Sequence, residues 1–173
     1  MASVKTERLL QAIIAVCLVG LGYVIADALR EKVVGVGDTA PDFSIVTDSG
    51  RRISRSDFGG KLLVLNFWAT WCPPCVEEMP SLEEFHRRLA PSGVVVLGIS
   101  VDQNERAYRA FLERARVTFA TARDPEARIS AEYGTFKYPE TYIIDRSGKV
   151  VIKHIGPRDW TDEQIIRNVR ALL

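Results

Sequence analysis

Histidine and cysteine are scarce in this chain, two and three residues among 173, and the scarcity narrows the function classes at once. A tetrahedral zinc centre needs four ligands, and neither His86 nor His154 stands in a spacing that would complete one with the cysteines. Three cysteines are too few for a disulfide-stapled scaffold. Charge of one sign is missing as well: 23 Lys and Arg against 22 Asp and Glu leave a net charge of +1. The two signs are interspersed, so no basic field is available to hold nucleic acid. Internal repeats and low-complexity tracts are absent. What is present is globular composition, 47% hydrophobic and 26% charged. One apolar run at the start leaves about 140 residues for a single domain with one core.

That run extends from Leu9 to Ala26 without a charge and with Gln11 as its one strongly polar side chain. About 18 such residues can cross a hydrocarbon core as a helix. Residues 9–29 therefore read as a transmembrane anchor or signal segment, after a cytoplasmic N-terminus at 1–8 and before a linker at 30–36. Lys5 and Arg8 on one flank are matched by Arg30 and Lys32 on the other, so loop charge decides orientation only weakly. Order of synthesis decides it better, because the chain beyond so early a segment is exported whether the segment is kept or cleaved. Ala26-Asp27-Ala28 has the small-x-small form of a cleavage site at Ala28. The run favours an anchor because it exceeds the roughly 7–15 residues of a usual signal core. Cys17, inside the run, is expected to be inert packing, and bulky Val16 before it argues against lipidation. The expectation is a single-pass protein of a bacterial cell membrane with its domain, residues 37–173, on the periplasmic side.

Within that domain, Phe43 to Val46, a turn at Asp48-Ser49-Gly50 and Arg51 to Ser54 predict a short hairpin. Leu62 to Phe67, LLVLNF, is continuous enough for a central strand buried on both faces. A helix is expected next, from about Cys72 to Leu89, with Met79, Leu82, Phe85 and Leu89 at helical spacing and a kink at Pro80. Val94 to Val101 reads as a second strand parallel to the first, and AYRAFLER as a helix. Asp124-Pro125-Glu126 is expected to open a short helix that Gly134 ends. Tyr142 to Asp145 and Val150 to Ile155 flank a turn at Arg146 to Lys149 and predict an antiparallel hairpin. Thr161 and Gln164 form a capping box for a last helix, with Trp160 stapling onto Ile165.

The chemistry lies between the first long strand and its helix, in Cys72-Pro73-Pro74-Cys75. A cysteine in the first turn of a helix faces unpaired N–H groups and the positive end of the dipole, which favour thiolate. Such placement brings a thiol pKa from about 8.5 to between roughly 3.5 and 7.5. Cys72 is thus the candidate nucleophile and Cys75, one turn on, the resolving thiol. The two-residue spacing lets the sulfurs bond across the turn, and both prolines are tolerated where N–H groups would be unpaired anyway. A zinc half-site and a purely structural disulfide are the competing readings. The first lacks further ligands, and the second closes a loop too short to constrain the unfolded chain much.

NFWATWCPPC, with YPETYIID downstream of it, resembles the thioredoxin superfamily and specifically its membrane-anchored TlpA/ResA-like branch, over Val36 to Leu173. The resemblance implies an α/β thioredoxin-like fold, a central mixed sheet flanked by helices, with an N-terminal hairpin extension and one N-terminal transmembrane helix. It implies that Pro139 is the cis-proline facing the cysteines, and that Trp71, Pro73, Pro74, Tyr138 and Pro139 form the substrate-facing surface. Glu78 matches the acidic residue that members carry near the site, where it would exchange protons with Cys75. Asn66 stands where thioredoxin has a buried aspartate and cannot titrate. Glu140 matches the PET sequence of cytochrome c-maturation members.

No metal and no organic cofactor are implied, the redox group being the Cys72–Cys75 disulfide. The expected partners are a protein thiol or disulfide such as apocytochrome c, a membrane electron-donor protein, and the membrane itself. The activity implied is reduction of exported protein disulfides. A peroxiredoxin-like peroxidase shares the fold and the APDF stretch at Ala40 to Phe43, but needs threonine where Ala69 stands. A copper chaperone would want a histidine at the site, and only His154 lies downstream.

Overall fold

Seven consecutive side chains are buried in β3, Leu62–Trp68, and the domain is built outward from that strand. The computed structural model describes residues 2–28 and 33–173, and the second of its two units is Val33–Leu173. β4 (Val94–Ser100) pairs with β3 in parallel and β6 (Glu140–Ile144) pairs with it antiparallel. β5 (Ala120–Arg123) and β7 (Val150–Ile155) complete a five-stranded mixed sheet of order β5-β4-β3-β6-β7. The parallel pair requires a crossover, supplied by α2, Pro73–Leu89. The expected hairpin is β1 (Ser44–Val46) against β2 (Arg52–Ser54), antiparallel.

Side chains alternate across a strand, and β3 feeds a separate core on each face. Leu62, Val64 and Trp68 pack with Met79, Leu82, Phe85 and Leu89 of α2, while Leu63, Leu65 and Phe67 pack with Phe43, Ile45, Tyr133 and Tyr142. Each fully buried aliphatic or aromatic side chain contributes about 1.5–3 kcal/mol. Trp68 is wholly core, against Tyr108 and Phe111. It lies over Gly98, where a Cβ would come within 3.0 Å of Phe119 and 3.1 Å of Trp68 Nε1. Pro80 lies inside α2. α3, Glu105–Ala115, is capped by Asn104, whose side chain accepts from Ala107 N–H.

Several expectations need correction. Asp124-Pro125-Glu126 does not open a helix. Asp124 heads a turn to Ala127, which takes left-handed backbone (φ 54°), and its carboxylate accepts from Ile129 N–H, so α4 is Arg128–Glu132. The last helix, α5, is Glu163–Arg170 and is capped by Asp162, whose carboxylate accepts from Gln164 N–H at 2.6 Å. The Thr161 hydroxyl instead donates to Asp159. Trp160 is fully buried against Phe85, in the cluster against which Ile165 also packs. β5 carries no apolar run or alternation that would announce a strand.

The linker expected at 30–36 is shorter. Residues 30–32 lie outside the described residues, Val34 is buried with its N–H donating to Tyr133 O, and Gly37 N–H donates to Val150 O. The domain thus begins before residue 37. In the first unit α1 spans Ala2–Ala28 as one helix, with Leu29, the last residue of the expected anchor, outside the described residues. Among the described residues no helix is long and apolar enough to cross a membrane. Cys17 is exposed and unbonded, not packed.

Candidate active site

β3 runs straight into the site. Its end is fixed to β4 by Val101 N–H donating to Trp68 O (3.0 Å). The next residues are fixed by Asp102, 1% exposed. Its carboxylate accepts from Thr70 N–H (2.9 Å), the Thr70 hydroxyl (2.6 Å) and the Ser100 hydroxyl (2.6 Å). Asp102 therefore locks the loop that presents Trp71 and Cys72. Nothing near it in sequence announces this, because its partners come from the ends of two different strands.

Cys72 is the N-cap of α2, its sulfur accepting from Cys75 N–H at 3.3 Å. Pro73 and Pro74 occupy the first helical positions, where missing N–H groups cost nothing. Cys72 and Cys75 are joined as a disulfide with Cα atoms 5.3 Å apart. Cys72 is 6% exposed and Cys75 fully buried, so an incoming sulfur meets Cys72. The donor that a Cys72 thiolate requires is already in place at the helix start.

The Tyr138–Pro139 peptide is cis, and Tyr138 O lies 3.5 Å from Cys72 Sγ. A disulfide sulfur has no proton to donate, so this is a contact in the oxidised state. Trp71 is exposed, its ring edge-on to that of Tyr138 at 6.0 Å. The Tyr138 hydroxyl is hydrogen-bonded to Ser130 Oγ. Pro73 is exposed, Pro74 and Tyr138 half-buried, and Pro139 buried. Phe136, two residues before Tyr138, is 66% exposed. It was not among the expected site residues, since a lone aromatic in a loop carries no periodic signal.

Glu78 is only 4% exposed. Its carboxylate accepts from Asn66 Nδ2 (2.9 Å), the Arg158 backbone N–H (3.0 Å) and Trp160 Nε1 (3.4 Å). Burial raises its pKa above the usual carboxylate value, and those hydrogen bonds offset the rise only in part. Asn66 also donates to Thr141 Oγ1, and its Oδ1 is buried without a partner among the described residues. An amide so placed can turn its oxygen toward Glu78 when that residue carries a proton.

Glu140, beside Pro139, is built differently. It accepts from Lys153 Nζ (2.8 Å) and the Tyr142 hydroxyl (2.6 Å), and Lys153 also donates to Val34 O. Burial and the Glu140 acceptor push the Tyr142 phenol pKa up, which keeps it a donor.

Among the described residues no three potential metal ligands cluster. His86 packs edge-on to Phe119, and His154 Nδ1 accepts from Arg158 Nε. Ala69, where a peroxidase needs threonine, is a fully buried methyl group.

Residues 36–153 match the AhpC/TSA family. The thioredoxin-like protein YneN of Bacillus subtilis (strain 168) is 38% identical over 155 residues, covering 87% of this chain and 91% of its own. The thiol-disulfide oxidoreductase ResA of Geobacillus thermodenitrificans (strain NG80-2) is 36% identical over 172 residues, covering 97% of this chain and 98% of its own. A solved thiol:disulfide interchange protein of the thioredoxin family from Chlorobium tepidum TLS superposes with a TM-score of 0.66 at 29% identity, over 78% of this chain and 94% of that one. Agreement in sequence, fold and cysteine placement puts this chain in the AhpC/TSA family, among its thioredoxin-like thiol–disulfide oxidoreductases of ResA type.

Proposed function

We propose that the protein is an extracytoplasmic reductant of exported protein disulfides, such as those of apocytochrome c, held to the bacterial membrane by its N-terminal segment. The observation that carries the dithiol–disulfide exchange is the pairing of the Cys72–Cys75 disulfide with a buried carboxylate, Glu78, one helical turn beyond the resolving cysteine. In the reduced protein the Cys72 thiolate attacks a substrate disulfide. A Cys72–substrate S–S bond forms, the substrate S–S bond breaks, and the departing thiolate takes up a proton. Cys75 gives its proton to Glu78 and attacks Cys72, which releases the second substrate thiolate and leaves the intramolecular disulfide. Two electrons have then passed to the substrate. Glu78 hands the Cys75 proton on to the second substrate thiolate, and the proton on the first comes from solvent, replacing the one lost when Cys72 became a thiolate. A membrane electron-donor protein restores the dithiol. Trp71, Pro73, Pro74, Tyr138 and Pro139 form the surface on which the substrate chain lies, with Tyr138 O beside the reacting sulfur.

The anchor is supported by the uncharged run Leu9–Ala26 and by the exposed apolar side chains of Val16, Val19 and Val24 on α1. Labelling of reduced Cys72 in intact cells by a membrane-impermeant maleimide tests the topology, and labelling only after lysis would refute it.

The redox reading is tested by titrating the Cys72/Cys75 couple against glutathione and dithiothreitol. A reversible two-electron couple near or below about −250 mV is expected of a reductant, whereas a value near −120 mV would make the protein an oxidant. Cys72→Ala should abolish insulin disulfide reduction while the fold survives, and retained activity would remove Cys72 as nucleophile.

A further inference from the structure

Glu78 receives one of its three hydrogen bonds from a backbone N–H in the turn after β7, and that turn is bonded to the site at both ends. Gly156 N–H donates to Pro139 O at 2.8 Å, and Arg158 N–H donates to Glu78 Oε2 at 3.0 Å. Ser81, one turn beyond Glu78, adds a tie on the α2 side, its hydroxyl accepting from Trp160 N–H and sharing its one proton between Glu78 O (2.8 Å) and Arg158 O (3.3 Å). The Arg158 side chain folds back over the turn, where Nε donates to His154 Nδ1 at 3.4 Å. The half-buried imidazole in turn stands edge-on to Trp160, centroids 5.7 Å apart, and Trp160 Nε1 is another of the Glu78 donors. His154 thus touches the sources of two of the three bonds that hold the Glu78 carboxylate, and it lies opposite Thr141, which accepts from the third donor, Asn66.

We propose that His154 is a positioning residue for Glu78: by accepting the Arg158 Nε–H and bracing Trp160, it holds the turn so that two N–H groups stay on the carboxylate. The inference rests on the reading of Glu78 as the group that takes the Cys75 proton, and it gives that group a control point on β7. A neutral imidazole is required, because a proton on Nδ1 would turn the acceptor into a donor facing a guanidinium. Burial and the Arg158 charge both depress the His154 pKa, in keeping with that requirement.

Few charged groups face this cluster. Arg158 faces both Glu78 and His154. Glu77 and Asp159 line the open hollow of about 290 Å³ that adjoins Glu78, together with Ser81, Pro157 and Arg158. Thr141 of β6 does not titrate, and Lys153, next to His154 on β7, is directed to the other face and bonded to Glu140.

The test is the ionisation of Glu78 itself, read by carboxyl-carbon NMR on the full chain in detergent with labelled glutamate, the signal assigned by its loss in Glu78→Gln. His154→Phe keeps an aromatic ring against Trp160 but removes the acceptor. It should raise the Glu78 midpoint by about half a pH unit or more, because the carboxylate loses part of a donor. His154→Gln, which retains an acceptor without a titrating group, should stay within about 0.2 pH units of the parent, and the pH profile of disulfide exchange should shift as the midpoint does. Equal shifts in the two variants, or none in either, would overturn the proposal.

His154→Leu, which also removes the acceptor, takes the place of His154→Phe in both arms should the phenylalanine variant not fold, and Arg158→Ala supplies the second arm. In that background, adding His154→Phe should leave the midpoint where Arg158→Ala put it, and a further rise would show that His154 does not act through Arg158. The titration needs no turnover, so a protein without reductase activity would defeat the reading of the enzyme while still reporting on the tether.

Discussion

Two buried glutamates flank the disulfide region, and they are solvated by the protein in opposite ways. Glu140, next to cis-Pro139, is bound by an ammonium group, Lys153 Nζ at 2.8 Å, and by the Tyr142 hydroxyl. Glu78, one turn beyond Cys75, is bound by three neutral N–H groups, from Asn66, Arg158 backbone and Trp160. A carboxylate matched by a buried cation forms a fixed neutral pair, and breaking it leaves a bare charge in low dielectric. A carboxylate held by neutral donors, with only the Arg158 charge facing it and no ion pair, leaves burial the larger influence, so a proton is a competitive partner. On the proposed mechanism, the acid beside cis-Pro139 is structural and the acid one turn beyond Cys75 is the one that exchanges protons.

The largest expected effect comes from breaking the structural half. Lys153→Met keeps the aliphatic stem, removes the ammonium and strands Glu140, whose Oε2 has no partner among the described residues. A loss of roughly 3–5 kcal/mol in unfolding free energy is expected from urea denaturation at pH 7. Adding Glu140→Gln to the same chain should recover most of that loss, because the stranded charge is then gone. A Lys153→Met loss below about 1 kcal/mol would mean that the pair is solvated like a surface ion pair, and the contrast with Glu78 would fail.

A smaller effect is expected from making the exchangeable half resemble a carboxyl dyad. Asn66→Asp would set a second acid within hydrogen-bonding distance of Glu78, where Asn66 Nδ2 now donates at 2.9 Å. Two carboxylates that close share a proton, so the pair should titrate in two steps with one of them raised by about 1–3 pH units. Carboxyl-carbon NMR would show the split, and the rise of exchange rate with pH should move upward with it. An unchanged profile would mean that Glu78 takes no part in proton transfer.

Legibility of this contrast in the sequence was uneven, for a physical reason. β3 could be read because burial on both faces requires an unbroken apolar run, and the start of α2 because cysteine and proline at those positions report helix-end geometry. β5 could not, since Ala120–Arg123 becomes a strand through pairing with β4 rather than through its own pattern. The start of α5 was misplaced because Asp159, Thr161 and Asp162 all have capping side chains, and only packing selects among them. Glu78 was visible by its place beside the cysteines. Its donors were not: Trp160 and Arg158 lie 82 and 80 residues away. The Glu140–Lys153 pair needs the β6–β7 register, which sets Lys153 opposite Tyr142. The reacting atoms are local in sequence, whereas the groups that tune them come from contacts made only on folding.

The smallest effect tests whether Glu78 weakens the fold it serves. Its pKa in the folded protein is raised by burial above that of the unfolded chain. The folded state therefore binds the proton more tightly than the unfolded state does. The resulting stability is fully present below the unfolded pKa and is lost as pH rises through the folded value. Glu78→Gln removes this dependence while leaving the other titrating groups in place. The stability of the parent minus that of the variant, from urea denaturation between pH 4 and 8, should fall by about 1.4 kcal/mol for each pH unit by which the folded pKa is raised. A difference that stays flat, or rises with pH, would mean that the three donors stabilise the carboxylate more than burial penalises it. Glu78 would then be as fixed an anion as the comparison assigns to Glu140, and the proton leaving Cys75 would need another acceptor.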